Sequence, residues 1–240
     1  MKLRTLIALV FISVTAPNVH AEMLFSNASI SYLKGDHYQL GDKQRQVITL
    51  EHASGFGWGD NFFFLDRLKN HNGQYSTYYE LAPRLNLKTF GNLDLSFGPV
   101  SDVLLAATWE SGSSSRRFDN YLYGIGFNLQ APGFKYLKLN FYLVDNELKP
   151  DDEQLTLSWA YPFSISNHTF LYDGFLDWSS SSDSHAAEMN FTSQIKWDIG
   201  KHLDMSHPLY AGFEYAYWNN KFGVKGANER NPSILLKLHF

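Results

Sequence analysis

The chain contains no cysteine among its 240 residues. Disulfides are excluded, and so is any metal centre built on thiolate. Beyond Val14 no apolar run approaches the ~20 residues that cross a bilayer as a helix. Basic residues are few and scattered: 20 Lys and Arg stand against 24 Asp and Glu, with no cluster beyond the pair Arg116-Arg117. A nucleic-acid binder needs a basic patch, so nucleic acid is not an expected partner. Neither a G-x-S-x-G elbow nor an H-E-x-x-H pair occurs.

The N-terminus does carry a signal. Lys2 and Arg4 precede an apolar run from Leu6 to Val14, and a polar stretch then ends on Val19-His20-Ala21. A basic start, a short apolar run and small residues at the end read as a secretory signal peptide over residues 1–21. Its removal takes two of the 20 basic residues and none of the acidic ones, which leaves residues 22–240 as one acidic, exported domain. Held without disulfides, that domain depends on packing and backbone hydrogen bonds.

Apolar and polar residues alternate at period two from end to end, and the runs are separated by Gly, Asn, Asp, Ser and Pro clusters. Met189, Phe191, Ile195 and Trp197 face away from Glu188, Asn190, Gln194, Lys196 and Asp198. Likewise Tyr79, Leu81 and Leu85 oppose Glu80, Arg84 and Asn86. About twelve such segments can be counted, an even number as single-chain bacterial barrels require. Among them are Asp60 to Asp66, Tyr75 to Lys88, Leu93 to Trp109 and Thr169 to Trp178. The expected fold is all-β: a closed antiparallel transmembrane β-barrel with a narrow polar lumen, because hydrocarbon leaves no sheet edge tolerable. Aromatics make up 16% of the chain, and a lipid-facing wall employs them as interfacial girdles. With the N-terminus on the periplasmic side, Lys34 to Arg45, Arg67 to Gln74 and Asn219 to Pro232 become long outer loops, whereas Thr89 to Asn92 becomes a tight inner turn. Ile234, Leu236, Leu238 and Phe240 form one apolar face that ends on an aromatic, as the signal read by outer-membrane assembly machinery does.

Enzymatic readings are thin. His37, His71, His185 and His207 fall in loops or turns, which leaves His52 beside Glu51 as the best candidate base. No catalytic or metal-ligating residue is assigned.

Two stretches carry a family resemblance: Glu80-Leu81-Ala82-Pro83-Arg84-Leu85-Asn86-Leu87, then Leu93-Asp94-Leu95-Ser96-Phe97-Gly98-Pro99. Together with Phe175-Leu176-Asp177-Trp178 and the run Phe62-Phe63-Phe64, they resemble segments of the Tsx family of nucleoside-specific channel-forming proteins. The resemblance implies a monomeric twelve-stranded channel in the outer membrane of a Gram-negative bacterium, through which nucleosides diffuse passively without cofactor or energy input.

A nucleoside offers a π-face and sugar hydroxyls, which suit aromatic rings beside carboxylates, amides and guanidinium. Alternation turns Asp60, Phe62, Phe64, Glu80, Arg84, Phe175, Asp177, Glu214 and Trp218 inward as candidate solute-binding residues. A slip of one residue would exchange Phe62 and Phe64 for Phe63. Glu80 and Arg84 also read as a structural ion pair. Two alternatives in function remain open: a general small-solute porin, and a non-conducting receptor or structural barrel.

Overall fold

The computed structural model describes residues 22–113 and 117–240; residues 1–21, read above as a signal peptide, lie outside the described residues. Twelve strands close into one antiparallel barrel in which each strand pairs with its sequence neighbours and the last with the first. They are β1 (Met23–Gly35), β2 (Arg45–Phe56), β3 (Gly59–Asn70), β4 (Tyr75–Asn86), β5 (Val100–Ser113) and β6 (Arg117–Leu129). The second half comprises β7 (Tyr136–Asp145), β8 (Asp152–Ile165), β9 (His168–Ser179), β10 (Glu188–Asp198), β11 (Leu209–Asn219) and β12 (Glu229–His239). No helix among the described residues is long and apolar enough to cross a membrane. The strands do the crossing, and closure leaves no unpaired edge in hydrocarbon.

Period-two patterning decides which side each residue faces. On β12, Glu229, Asn231, Ser233, Leu235 and Lys237 are buried in the lumen, while Ile234 and Leu236 are exposed on the outer wall. Lipid replaces water on that wall, so exposed Ile48, Leu105, Tyr121, Tyr123, Phe141, Leu143 and Phe213 bury themselves in the bilayer. Trp159 faces outward as expected, yet it is buried, stacked on Phe191 at 5.4 Å and against Tyr172 at 5.9 Å.

Three expectations need correction. First, β5 begins at Val100, and Leu93 to Pro99 belongs to a connection spanning 87–99 that includes the short helix α1 (Leu87–Gly91). The alternation of Leu93, Leu95 and Phe97 imitates a strand. The Asp94 side chain instead accepts from Ser96 N (3.2 Å), Ser96 Oγ (2.8 Å) and Lys88 Nζ (2.7 Å), which folds the chain back locally. Second, β3 runs on to Asn70, so the expected loop from Arg67 shrinks to residues 71–74. Connections at the two ends of the barrel consequently differ little in length, and the expected contrast between long loops and tight turns is absent. Third, the lumen is not uniformly polar: Leu33, Val47, Leu104, Leu122, Val144 and Leu235 are buried on the inner side.

Candidate functional site

The ladder between β2 and β3 fixes the register at the centre of the wall. Thr49 pairs with Asp66, Glu51 with Phe64, Ala53 with Phe62 and Gly55 with Asp60. On the next strand Asp60 meets Arg84, Phe62 meets Ala82, Phe64 meets Glu80, and Asp66 meets Tyr78. Side chains in register share a face, so all of these line the lumen while Phe63 faces outward. The same reasoning puts Phe175, Asp177, Glu214 and Trp218 on the inner wall: Asp177 pairs with Thr156 and Asn190, Phe175 with Ser158 and Thr192, Glu214 with Gln194, and Trp218 with Asn190. All nine candidate residues therefore face the lumen. Eight are half-buried, open to the bore, and Arg84 is buried.

Arg84 is committed to structure. Its guanidinium donates to Asp60 through Nε (2.9 Å) and Nη2 (2.5 Å), and also to Asn128 (2.7 Å) and Asn140 (3.3 Å). Asp60 takes a further bond from Lys138 Nζ at 3.1 Å, across the bore from β3 to β7. The ion pair considered from sequence was Glu80 with Arg84; the observed partner is Asp60. Lys196 meets Asp173 at 2.6 Å and Lys237 meets Glu51, which completes a belt of paired charges. Arg84, Lys138, Lys196 and Lys237 each sit third from the strand terminus nearest the chain ends.

Toward the other mouth the character changes. Asp66 accepts from Thr49 Oγ1 (2.6 Å), Glu80 from Tyr78 OH (2.6 Å), Glu110 from Asn120 Nδ2 (3.1 Å), Asp177 from Thr156 Oγ1 (2.6 Å) and Glu214 from Gln194 Nε2 (2.7 Å). Every donor among the described residues is neutral, and Glu80 stands directly opposite Glu110 in the ladder. Like charges face to face weaken a sheet, so stability does not account for this arrangement.

Aromatic rings climb the same wall. Phe62 and Phe64 have centroids 6.0 Å apart, Phe64 and Tyr78 are 5.7 Å apart, and Tyr78 and Phe118 are 6.2 Å apart. Sequence reasoning missed Tyr78, Phe118 and Glu110. Extending the alternation of Glu80 and Arg84 back by two residues would have reached Tyr78. At the mouth, Trp218 Nε1 donates to Glu188 at 3.0 Å, with Lys221 Nζ 4.5 Å from its ring centroid.

Loop groups bordering the mouth titrate abnormally. Burial lowers the Lys221 ammonium despite its partner Glu229. Burial also opposes charge on Lys149, but Asp152 and Glu188 raise it above the ordinary lysine value. His52, the candidate base, faces outward and meets Ser26 Oγ at 3.0 Å, away from the lumen carboxylates.

A closed sheet with an apolar exterior and a charged, aromatic-lined interior defines an outer-membrane β-barrel protein. The family model described as nucleoside-specific channel-forming protein, Tsx, matches residues 27–233, and the chain belongs to that family. Outer membrane protein OmpK of Vibrio parahaemolyticus is 25% identical over 178 residues, which cover 72% of this chain and 66% of the relative. Its namesake from the serotype O3:K6 strain is 26% identical over 154 residues, 58% of each chain. The chain thus spans 66% and 58% of the length of these curated relatives, less than two thirds of either. Among solved structures, the KdgM porin superposes with a TM-score of 0.52 at 11% identity, covering 89% of this chain and 99% of that one, a likeness of fold. The protein is a β-barrel of the Gram-negative outer membrane and a member of this channel family.

Proposed function

We propose that the channel passes nucleosides selectively and passively, binding them weakly on the way. The observation that carries this reading is the aromatic ladder Phe62, Phe64, Tyr78 and Phe118 beside carboxylates whose hydrogen-bond donors among the described residues are neutral. A base stacks on the rings at about 1 to 3 kcal/mol each. Ribose hydroxyls donate to Asp66, Glu80, Glu110, Asp177 or Glu214. Site strength is bounded from above, since a solute that cannot leave blocks the pore. Asp60 and Arg84, already paired with each other, shape the bore instead of contacting solute, while Phe175 and Trp218 offer further stacking surfaces. Export through residues 1–21, assembly guided by Phe240 and action as a monomer belong to the same reading.

Liposome swelling with adenosine and uridine, and glucose as the control, tests it. The expected result is faster entry of both nucleosides than of glucose, although glucose is smaller. Entry ranked by size alone would assign the protein to the general porins, and no entry of any solute would mark a receptor barrel.

A further inference from the structure

The connection between β1 and β2, residues 36–44, does not stand away from the mouth. It folds into the bore. Tyr38 is buried in a cluster with Leu33, Val47 and Leu235, and Leu68 packs on its edge, all from the inner wall. Two backbone amides fasten the segment to β12: His37 N–H donates to Asn231 Oδ1 at 2.9 Å and Gln39 N–H to Glu229 Oε2 at 2.7 Å. Glu229 also takes Lys221 Nζ at 2.6 Å. Arg45 tightens the arc from within, donating to Leu40 O (2.6 Å) and Asp42 O (2.8 Å) while its guanidinium lies 5.0 Å from the Tyr38 ring centroid. Gly35 leaves room for β12 where the strap departs from β1, since a Cβ there would come within 2.5 Å of Ser233 Oγ and 2.7 Å of the Asn231 amide and force those side chains to shift. Burial pushes the Tyr38 phenol up to about 12.

The two sides of the bore differ as a result. Lumen-facing Glu229, Asn231 and Ser233 are only 1–2% exposed, whereas Phe64, Glu80 and Asp177 stay half-buried and open to the bore. The strap occupies the flank formed by β1, β2 and β12, and what remains of the bore beside it is the slot.

We propose that residues 36–44 are the size filter of this channel and that Tyr38 sets the width of the slot. The proposal rests on the channel itself and holds whichever solute is preferred.

The experiment compares the unsubstituted protein with Tyr38→Ala by single-channel conductance and by liposome swelling in glucose, sucrose and raffinose. Tyr38→Ala is expected to raise the conductance and to extend the size limit by at least one sugar unit. Because the chain lacks cysteine, Ser233→Cys gives an independent readout with a membrane-impermeant maleimide. It should be unreactive with the strap in place and reactive when combined with Tyr38→Ala. Should Tyr38→Ala not assemble, Asn231→Ala removes the acceptor for His37 and enters the same comparison. A reactive Ser233→Cys in the otherwise unsubstituted barrel overturns the proposal. So does an unchanged size limit in a variant whose Ser233→Cys has become reactive.

Discussion

Arg84 and Asp60 meet through two parallel hydrogen bonds, 2.9 and 2.5 Å, with their side chains only 4% and 14% exposed. Such a fork holds a carboxylate more firmly than a lysine can. Lys138 and the amides of Asn128 and Asn140 complete the hub, so four strands converge on one guanidinium.

Removing one member of a buried pair strands the other. Arg84→Met is expected to destabilise the barrel by about 3 to 5 kcal/mol. Asp60→Asn should cost less, because an amide oxygen still accepts from the guanidinium. Urea unfolding in detergent, followed by the loss of heat-modifiable mobility, measures both. Equal and negligible effects would mean that the hub is ornamental.

The aromatic ladder predicts a functional loss with the pore left open. Phe62→Ala combined with Phe64→Ala should abolish nucleoside block of the single-channel ion current and leave the current intact or larger, at about 1 to 3 kcal/mol of binding per ring. Tyr78→Phe keeps the ring and removes the hydroxyl that bonds Glu80, so block should weaken without disappearing. Phe63→Ala, on the outer wall, is the control and should leave block unchanged. Block that persists in the double variant would move the stacking site elsewhere.

On β8, Leu157 pairs with Leu139 and Leu176 on the outer wall, and Thr156 lies inward against Asp177. Leu157→Arg puts a charge in hydrocarbon near mid-strand and should cost about 2 to 4 kcal/mol. Thr156→Arg should fold normally and alter ion selectivity, since its guanidinium reaches Asp177. Unfolding midpoints and reversal potentials separate the two outcomes.

The Asp94 carboxyl is pulled down to about 2 by the hydrogen bonds of Lys88 Nζ and Ser96. Its folded-state value lies below the ordinary 3.8, so the clamp is complete above that value and is lost as the pH falls toward 2. Lys88 and Asp94 are exposed, 62% and 54%, and solvent leaves such a pair little stabilising strength. Titration is therefore the sensitive readout. Carbon-detected NMR of the detergent-solubilised barrel should give a midpoint near 2 for Asp94 and a higher one in Lys88→Ala, still below the ordinary 3.8 because both Ser96 hydrogen bonds remain.

The register of β3 was legible in the sequence because Asp60 and Asp66 flank the phenylalanine run at even spacing, and charges on a barrel wall face water. Arg84 and Asp177 were legible for the same reason. The role of Arg84 was not, since its acceptors Asp60, Asn128 and Asn140 come from three other strands and leave no local trace. Leu93 to Phe97 alternates like a strand; only side-chain capture by Asp94 makes it a turn. Leu33, Val47 and Leu235 each stand alone on an otherwise polar inner face and come from three different strands, so pattern alone could not reveal that they meet and leave part of the lumen dry. Tyr38 lay in a segment assigned to solvent, and the contacts that draw it inward come from β1, β2, β3 and β12 together.

The two backbone N–H hydrogen bonds that hold the strap join positions 194 and 190 residues apart in sequence. His37 and Gln39 follow β1, and Asn231 and Glu229 lie on β12, the strand that closes the barrel against it. A sheet lacking its final strand has no anchorage for residues 36–44, whatever the rest has achieved. Narrowing of the bore is therefore among the closing events of biogenesis, and a barrel stalled one hairpin short would be leaky as well as incomplete.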